Sequence, residues 1–220
     1  TCALPISDHV RIPLDGPAKT VWSSPADVGA TDFTLEFWIK AYPEYNPIPF
    51  QGCTSPPDGV HGHVLFDRSR IESNGAEYVV TMAGGIIIFS VLGPTGDGLS
   101  ICGLTSVLDE KWHHVAIQRR AREGVTGLFI DGTLDNAFNG PDGDISLPDS
   151  IWPVDCAPCL QDRFLLIGRN KVPSMSDRVG PFTGWLDEVR FSSNLRYPFG
   201  FDRPSSAFTA DEQKIGRAHV

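Results

Sequence analysis

Positive charge is scarce in this sequence: 18 Lys and Arg stand against 27 Asp and Glu in 220 residues, a formal net charge of −9. Such a balance repels phosphate backbones and anionic headgroups, which argues against nucleic acid and membrane surfaces as partners. Long apolar runs are missing as well. The longest, Ile86-Ile87-Ile88-Phe89, is far short of the ~18 residues of a spanning helix, so no membrane insertion is expected. Low-complexity tracts are absent, and no segment carries the 3.6-residue apolar period of an amphipathic helix. There is no Gly-x-Ser-x-Gly elbow for a serine nucleophile. Thr1 cannot be an initiator and no signal segment follows it, so a processed or cut N-terminus is expected.

What the sequence does contain is turn chemistry spread between short apolar runs, with 22 Gly and 18 Pro. In Phe33-Thr34-Leu35-Glu36-Phe37-Trp38-Ile39-Lys40 the odd positions are apolar and the even ones mostly polar, the pattern of a half-buried strand. Trp38 falls on the polar face, where it either packs under a loop or is displayed. Strands are also expected at 63–66, 78–82, 86–92, 99–104, 112–120, 127–130, 133–138, 163–167 and 182–191. Gly84-Gly85 and Asp131-Gly132 mark tight hairpins. About ten strands without a helix predict an all-β, two-sheet sandwich. The Pro-rich loop 42–62 is long enough to suggest function, and Arg119, Arg120 and Arg122 read as a solvated strand end.

Three segments in order resemble the laminin G-like domain of the concanavalin A-like lectin/glucanase superfamily. They are 33–40; Lys111-Trp112-His113-His114-Val115-Ala116 with Leu128-Phe129-Ile130-Asp131-Gly132; and Leu166-Ile167-Gly168-Arg169 with Phe182-Thr183-Gly184-Trp185-Leu186-Asp187-Glu188-Val189-Arg190-Phe191. The resemblance implies an antiparallel jelly roll. It also implies an extracellular recognition module, secreted or at the cell surface, that binds carbohydrate or protein as part of a larger chain. A structural spacer or adhesin repeat is the alternative, and a glycoside-active enzyme a further one. The superfamily's glucanases carry Glu-x-Asp-x-x-Glu, whose alternating carboxylates face one substrate. No Glu-x-Asp occurs here, and Asp187 and Glu188, being adjacent, would point to opposite faces of a regular strand. No catalytic residue is therefore assigned. Gly184 fits a close backbone approach, and His113 and His114, on opposite faces, read as structural.

Domains of this type often carry a calcium ion on the sandwich rim, which implies Asp187 as a ligand with Asp15 as a partner. For a sugar, the loop aromatics Tyr42, Tyr45 and Trp152 are the stacking candidates, beside Asn46 and Asp155. Five cysteines suit an oxidising compartment, with Cys2 the odd one at the terminus. Cys156-Ala157-Pro158-Cys159 has redox spacing but lies in a Pro-rich loop, and zinc would need a second close pair. Disulfides remain: Cys156 with Cys159 or with another loop, and Cys53 with Cys102, the expected set being Cys53–Cys102 plus Cys156–Cys159. Residues 1–213 read as one domain. Residues 214–220 resemble the translation of a sequencing adapter, Ile-Gly-Arg-Ala-His-Val, so the sandwich is expected to lack its final strand and to leave an edge unpaired.

Overall fold

The computed structural model describes residues 9–14, 24, 26–53, 60–69, 77–93, 95–146, 164–171, 178–198 and 200–208, and the backbone of 214–218. Among the described residues thirteen strands form: β1 Val10–Pro13, β2 Phe33–Ala41, β3 Gly62–Asp67, β4 Glu77–Ala83, β5 Ile86–Leu92, β6 Gly98–Ser106 and β7 His113–Arg119. They continue with β8 Val125–Ile130, β9 Thr133–Asn139, β10 Phe164–Ile167, β11 Val179–Pro181, β12 Gly184–Ser192 and β13 Lys214–Ala218. One sheet has the order β1-β10-β3-β4-β5-β6, with β11 added in parallel to β3. The other runs β13-β12-β2-β7-β8-β9, antiparallel throughout. The architecture is the expected two-sheet jelly roll.

The period-2 pattern of β2 explains how the sheets meet. Phe33, Leu35, Phe37 and Ile39 are fully buried in the shared core. Phe37 packs on Phe66 of β3 at 4.9 Å between ring centroids, and Phe33 stacks on Tyr78 of β4 at 6.2 Å. Each such side chain stabilises the fold by roughly 1.5–3 kcal/mol through burial alone. Hairpin geometry follows the glycines: Gly84 and Gly85 have φ of 54° and 85°, and Asp131 and Gly132 have φ of 50° and 83°. These are the positive angles that a two-residue turn between twisted strands requires. At Gly184 a Cβ would come within 2.6 Å of the Lys40 carbonyl oxygen, so β12 can approach β2 only with glycine there.

Some elements depart from the sequence reading. β1 and β11 were not expected: each is only three or four residues long, and β11 contains Gly180 and Pro181, which suit only a sheet periphery. The edge beside β12 is occupied, since the backbone of β13 lies antiparallel to it, with Val189 opposite Ala218. The N–H and C=O groups of an open edge pair with extended backbone whatever its side chains. Arg119 is not solvated but fully buried; its Nη2 donates to the carbonyls of Pro141 and Gly143 at 2.7 and 3.0 Å, tying the loop after β9 to β7. Arg120 and Arg122 are exposed as expected.

The expected Cys53–Cys102 disulfide is present, linking the loop after β2 to β6, with Cα atoms 5.8 Å apart across a separation of 49 residues. Cys156 and Cys159 lie outside the described residues. A cross-link of that span restricts the unfolded chain, so the double variant Cys53→Ser/Cys102→Ser should lose about 2–4 kcal/mol. Urea unfolding under non-reducing conditions measures this; an unchanged midpoint would mean the bond is not formed.

Candidate functional site

The outer face of the β12-β2-β7 sheet is built from the even positions of β2: Thr34, Glu36, Trp38 and Lys40. Register sets Asp187 opposite Trp38 and Trp185 opposite Lys40 on β12, and His114 opposite Trp38 on β7. The chain beyond β12 folds back over most of this face. Its anchor is Glu36, whose carboxylate has no exposed surface. Oε1 accepts from Arg190 Nε and Nη2, each at 2.7 Å, with Arg196 Nε at 3.6 Å. Oε2 accepts from the Tyr197 hydroxyl at 2.7 Å and faces His114 Nε2 at 3.1 Å. Burial alone would raise the Glu36 pKa; the hydrogen bond from His114, the Arg190 charge and the Tyr197 hydroxyl outweigh it and hold the carboxyl below its ordinary value.

Aromatic contacts extend the cover. Phe201 stacks on Tyr197 at 3.5 Å, Phe208 meets His114 at 5.9 Å, and Arg190 lies 3.8 Å over the Phe208 ring. The Phe201 amide donates to the Gly132 carbonyl at 2.8 Å, and a Cβ on residue 132 would overlap the Phe201 carbonyl oxygen. Glycine at 132 therefore serves the hairpin and the docked segment alike. Asp131 accepts from the His114 amide at 2.9 Å, and Arg203 Nη1 reaches it at 3.4 Å. His113 lies between two carboxylates, with Nδ1 2.7 Å from Asp131 and Nε2 2.9 Å from Asp109. That bond holds Asp109 down at about 2. Both histidines are thus structural partners, on opposite faces.

Where the cover ends, a cleft of about 480 Å³ opens, lined by Trp38, Trp112, Asp187, Glu188 and the 203–207 stretch. Trp38 is half-buried, with its ring edge-on to His114 at 5.5 Å and the Arg203 guanidinium 5.3 Å from its centroid. A β-bulge between Asp187 and Arg190, with Glu188 at φ 50°, breaks the alternation of β12. Asp187 and Glu188 therefore line the same cleft, and the premise of a regular strand that sent them to opposite faces fails here. Glu188 is engaged as a cap: its Oε2 accepts the Phe208 amide at 2.8 Å. Asp187 Oδ1 accepts the Glu188 amide at 2.8 Å.

Among the described residues no three His, Cys, Asp or Glu side chains gather as a cation site, and Asp15 lies outside them. Tyr42 and Tyr45 do come together, ring centroids 6.2 Å apart, at a 3₁₀ turn over Pro43–Tyr45 that follows β2. Asn46 does not face a ligand: its side chain is buried, bonding to the Tyr42 carbonyl and to both backbone groups of Thr183. Trp152 and Asp155 lie outside the described residues. Trp112 and Arg203 were missed by the sequence reading; the signal at hand was Trp38, an indole on the polar face of the best strand.

A two-sheet jelly roll of lectin type, with an aromatic cleft at the end of one outer face, is the class that this geometry defines. The chain belongs to the concanavalin A-like lectin/glucanases superfamily, a laminin G-like model of which matches residues 15–197. Its fold is similar, over 99% of the chain, to half of a candidate carbohydrate-binding protein from Bacteroides ovatus, at 17% identity and a TM-score of 0.59. It is likewise similar over 100% of the chain to domains LG4-5 of the mouse laminin alpha1 chain, covering 49% of that chain at 12% identity and a TM-score of 0.54. The chain spans about half the length of either one, and the likeness is one of fold. No curated protein matches the sequence.

Removing one partner from a buried ion pair strands the other, so Glu36→Gln should lower stability by about 3–5 kcal/mol. A folded pKa below the unfolded one means that the Glu36 contribution is complete above about 4.5 and is lost as pH falls through the lower folded value. Unfolding free energies from pH 7 to pH 2 should therefore show a shallower acid limb in the variant than in the parent; parallel limbs would refute the role given to Glu36.

Proposed function

We propose that this domain is a non-catalytic recognition module of a larger extracellular protein and that it binds glycan in the Trp38–Trp112 cleft. The observation that carries this reading is the pairing of two part-exposed indoles with Asp187 and Arg203 in a cleft beside the covered part of the sheet face. Sugars present apolar C–H faces and a rim of hydroxyls, so indole surface beside a carboxylate, a guanidinium and the hydroxyls of Ser205 and Ser206 matches both halves of that chemistry. The lectin-type fold is in keeping with it.

Two further features support the non-catalytic and extracellular parts. Retaining and inverting glycosidases alike set two carboxyl groups across one bond, whereas here Asp187 and Glu188 are chain neighbours and Glu188 caps the Phe208 amide. The Cys53–Cys102 bond belongs to the chemistry of oxidising compartments. Among the described residues no helix is long and apolar enough to cross a membrane.

The test is a glycan array with the full chain, followed by titration of the strongest binder. Trp38→Ala and Trp112→Ala should each weaken binding by about tenfold or more, the loss of one aromatic stacking surface, while both variants keep the parent circular dichroism spectrum. An array without binding, or binding that both variants retain in full, would remove the glycan reading and leave a protein-binding or spacer role.

A further inference from the structure

Tyr42 continues the outward set of β2. Its backbone is extended, at φ −118° and ψ 131°, so the alternation that displays Trp38 and Lys40 runs on to Tyr42. Lys40 Nζ lies 5.6 Å from the Tyr42 ring, and Trp185 is in register with Lys40 on β12. The outer face therefore carries aromatic surface beyond the cleft, along the strand direction. Beyond it stands Tyr45, 55% exposed, with its ring edge-on to Tyr42.

The turn that carries this second aromatic position is fastened to the sheet while Tyr45 itself stays exposed. Pro43 starts the turn, and the buried Asn46 side chain fastens it to Tyr42 at 3.0 Å and to the Thr183 carbonyl at 2.7 Å, just before β12. The backbone of the turn is thus tied down in advance, which spares the cost of ordering a loop on binding. From Trp38 to Tyr42 is four residues of extended chain, ~13 Å, which is the reach of roughly two to three pyranose rings.

On the reading that the Trp38–Trp112 cleft binds glycan, we infer that Tyr42 and Tyr45 form a second subsite, so that the ligand is a linear oligosaccharide of at least three rings lying along β2. One end stacks in the cleft and the other on Tyr45, with Lys40 between them donating to ring substituents. A single sugar fills only the cleft. Trp38 is then required for every ligand, and Tyr45 only for the longer ones.

The experiment uses immobilised oligosaccharides printed as length series from one to six rings, probed with the full chain and with Tyr45→Ala and Trp38→Ala. Affinity should climb about tenfold or more between one ring and three or four and then level off. Tyr45→Ala should erase most of that climb and leave single-ring binding unchanged, whereas Trp38→Ala weakens all lengths. If one ring binds as tightly as four, or Tyr45→Ala matches the parent at every length while Trp38→Ala does not, the second subsite is refuted and the cleft stands. If no glycan binds, or Trp38→Ala is silent, the cleft reading fails and the subsite with it.

Discussion

A carboxylate without solvent, Glu36, decides how this sandwich is finished. It sits mid-strand in β2, on the side of the sheet that the alternation turns away from the core. Left alone there it would be hydrated and unremarked. Instead Arg190 from the neighbouring strand, His114 from the strand on the other side, and Tyr197 and Arg196 from the returning chain converge on its two oxygens. Such a cluster contributes little net energy compared with a well-packed apolar one, but it is intolerant of misplacement. The chain after β12 therefore has one position in which its charges are matched, and the aromatic stack of Tyr197, Phe201 and Phe208 falls into place around it.

The consequence for function is a division of one sheet face. Its middle is roofed by the returning chain, while its end, where β2 leads into the Pro43–Tyr45 turn, stays open and rich in indole. The boundary between the two is Arg203, which leans over Trp38 and is tied back to Asp131 in the β8–β9 hairpin. The hairpin, the roof and the cleft wall are thus mechanically one unit: Gly132 receives Phe201, Asp131 receives Arg203, and the bulge at Glu188 receives Phe208. The cleft proposed as the glycan site is thus walled by segments that are each anchored to the sheet beneath.

How much of this could be read from the sequence follows from the range of each interaction. β2 was legible because its alternation is local, and so were the two glycine hairpins, because a positive φ needs only the turn residues themselves. The Cys53–Cys102 pairing was also legible. The burial of Glu36 was not, because it looks like any solvated strand residue until a tyrosine 161 positions away is known to lie on it. Arg119 was misread for the same reason, as its partners are loop carbonyls that no side-chain pattern reveals. The bulge between Asp187 and Arg190 inserts a single residue into a run that otherwise scans as regular, and so it hid the shared placement of two carboxylates. Trp112 was missed as a cleft residue, because the cleft it lines is built by residues 203–207, far along the chain.

The most direct measurement of the central claim is a two-dimensional ¹H–¹⁵N spectrum of the indole N–H groups, recorded while the strongest array glycan is titrated in. The chain has five tryptophans, at positions 22, 38, 112, 152 and 185, so five signals are assignable by single substitution. The account expects the Trp38 and Trp112 signals to move together and to saturate with one dissociation constant. Movement confined to Trp22 or Trp152, with Trp38 and Trp112 still, would place recognition elsewhere and contradict the account.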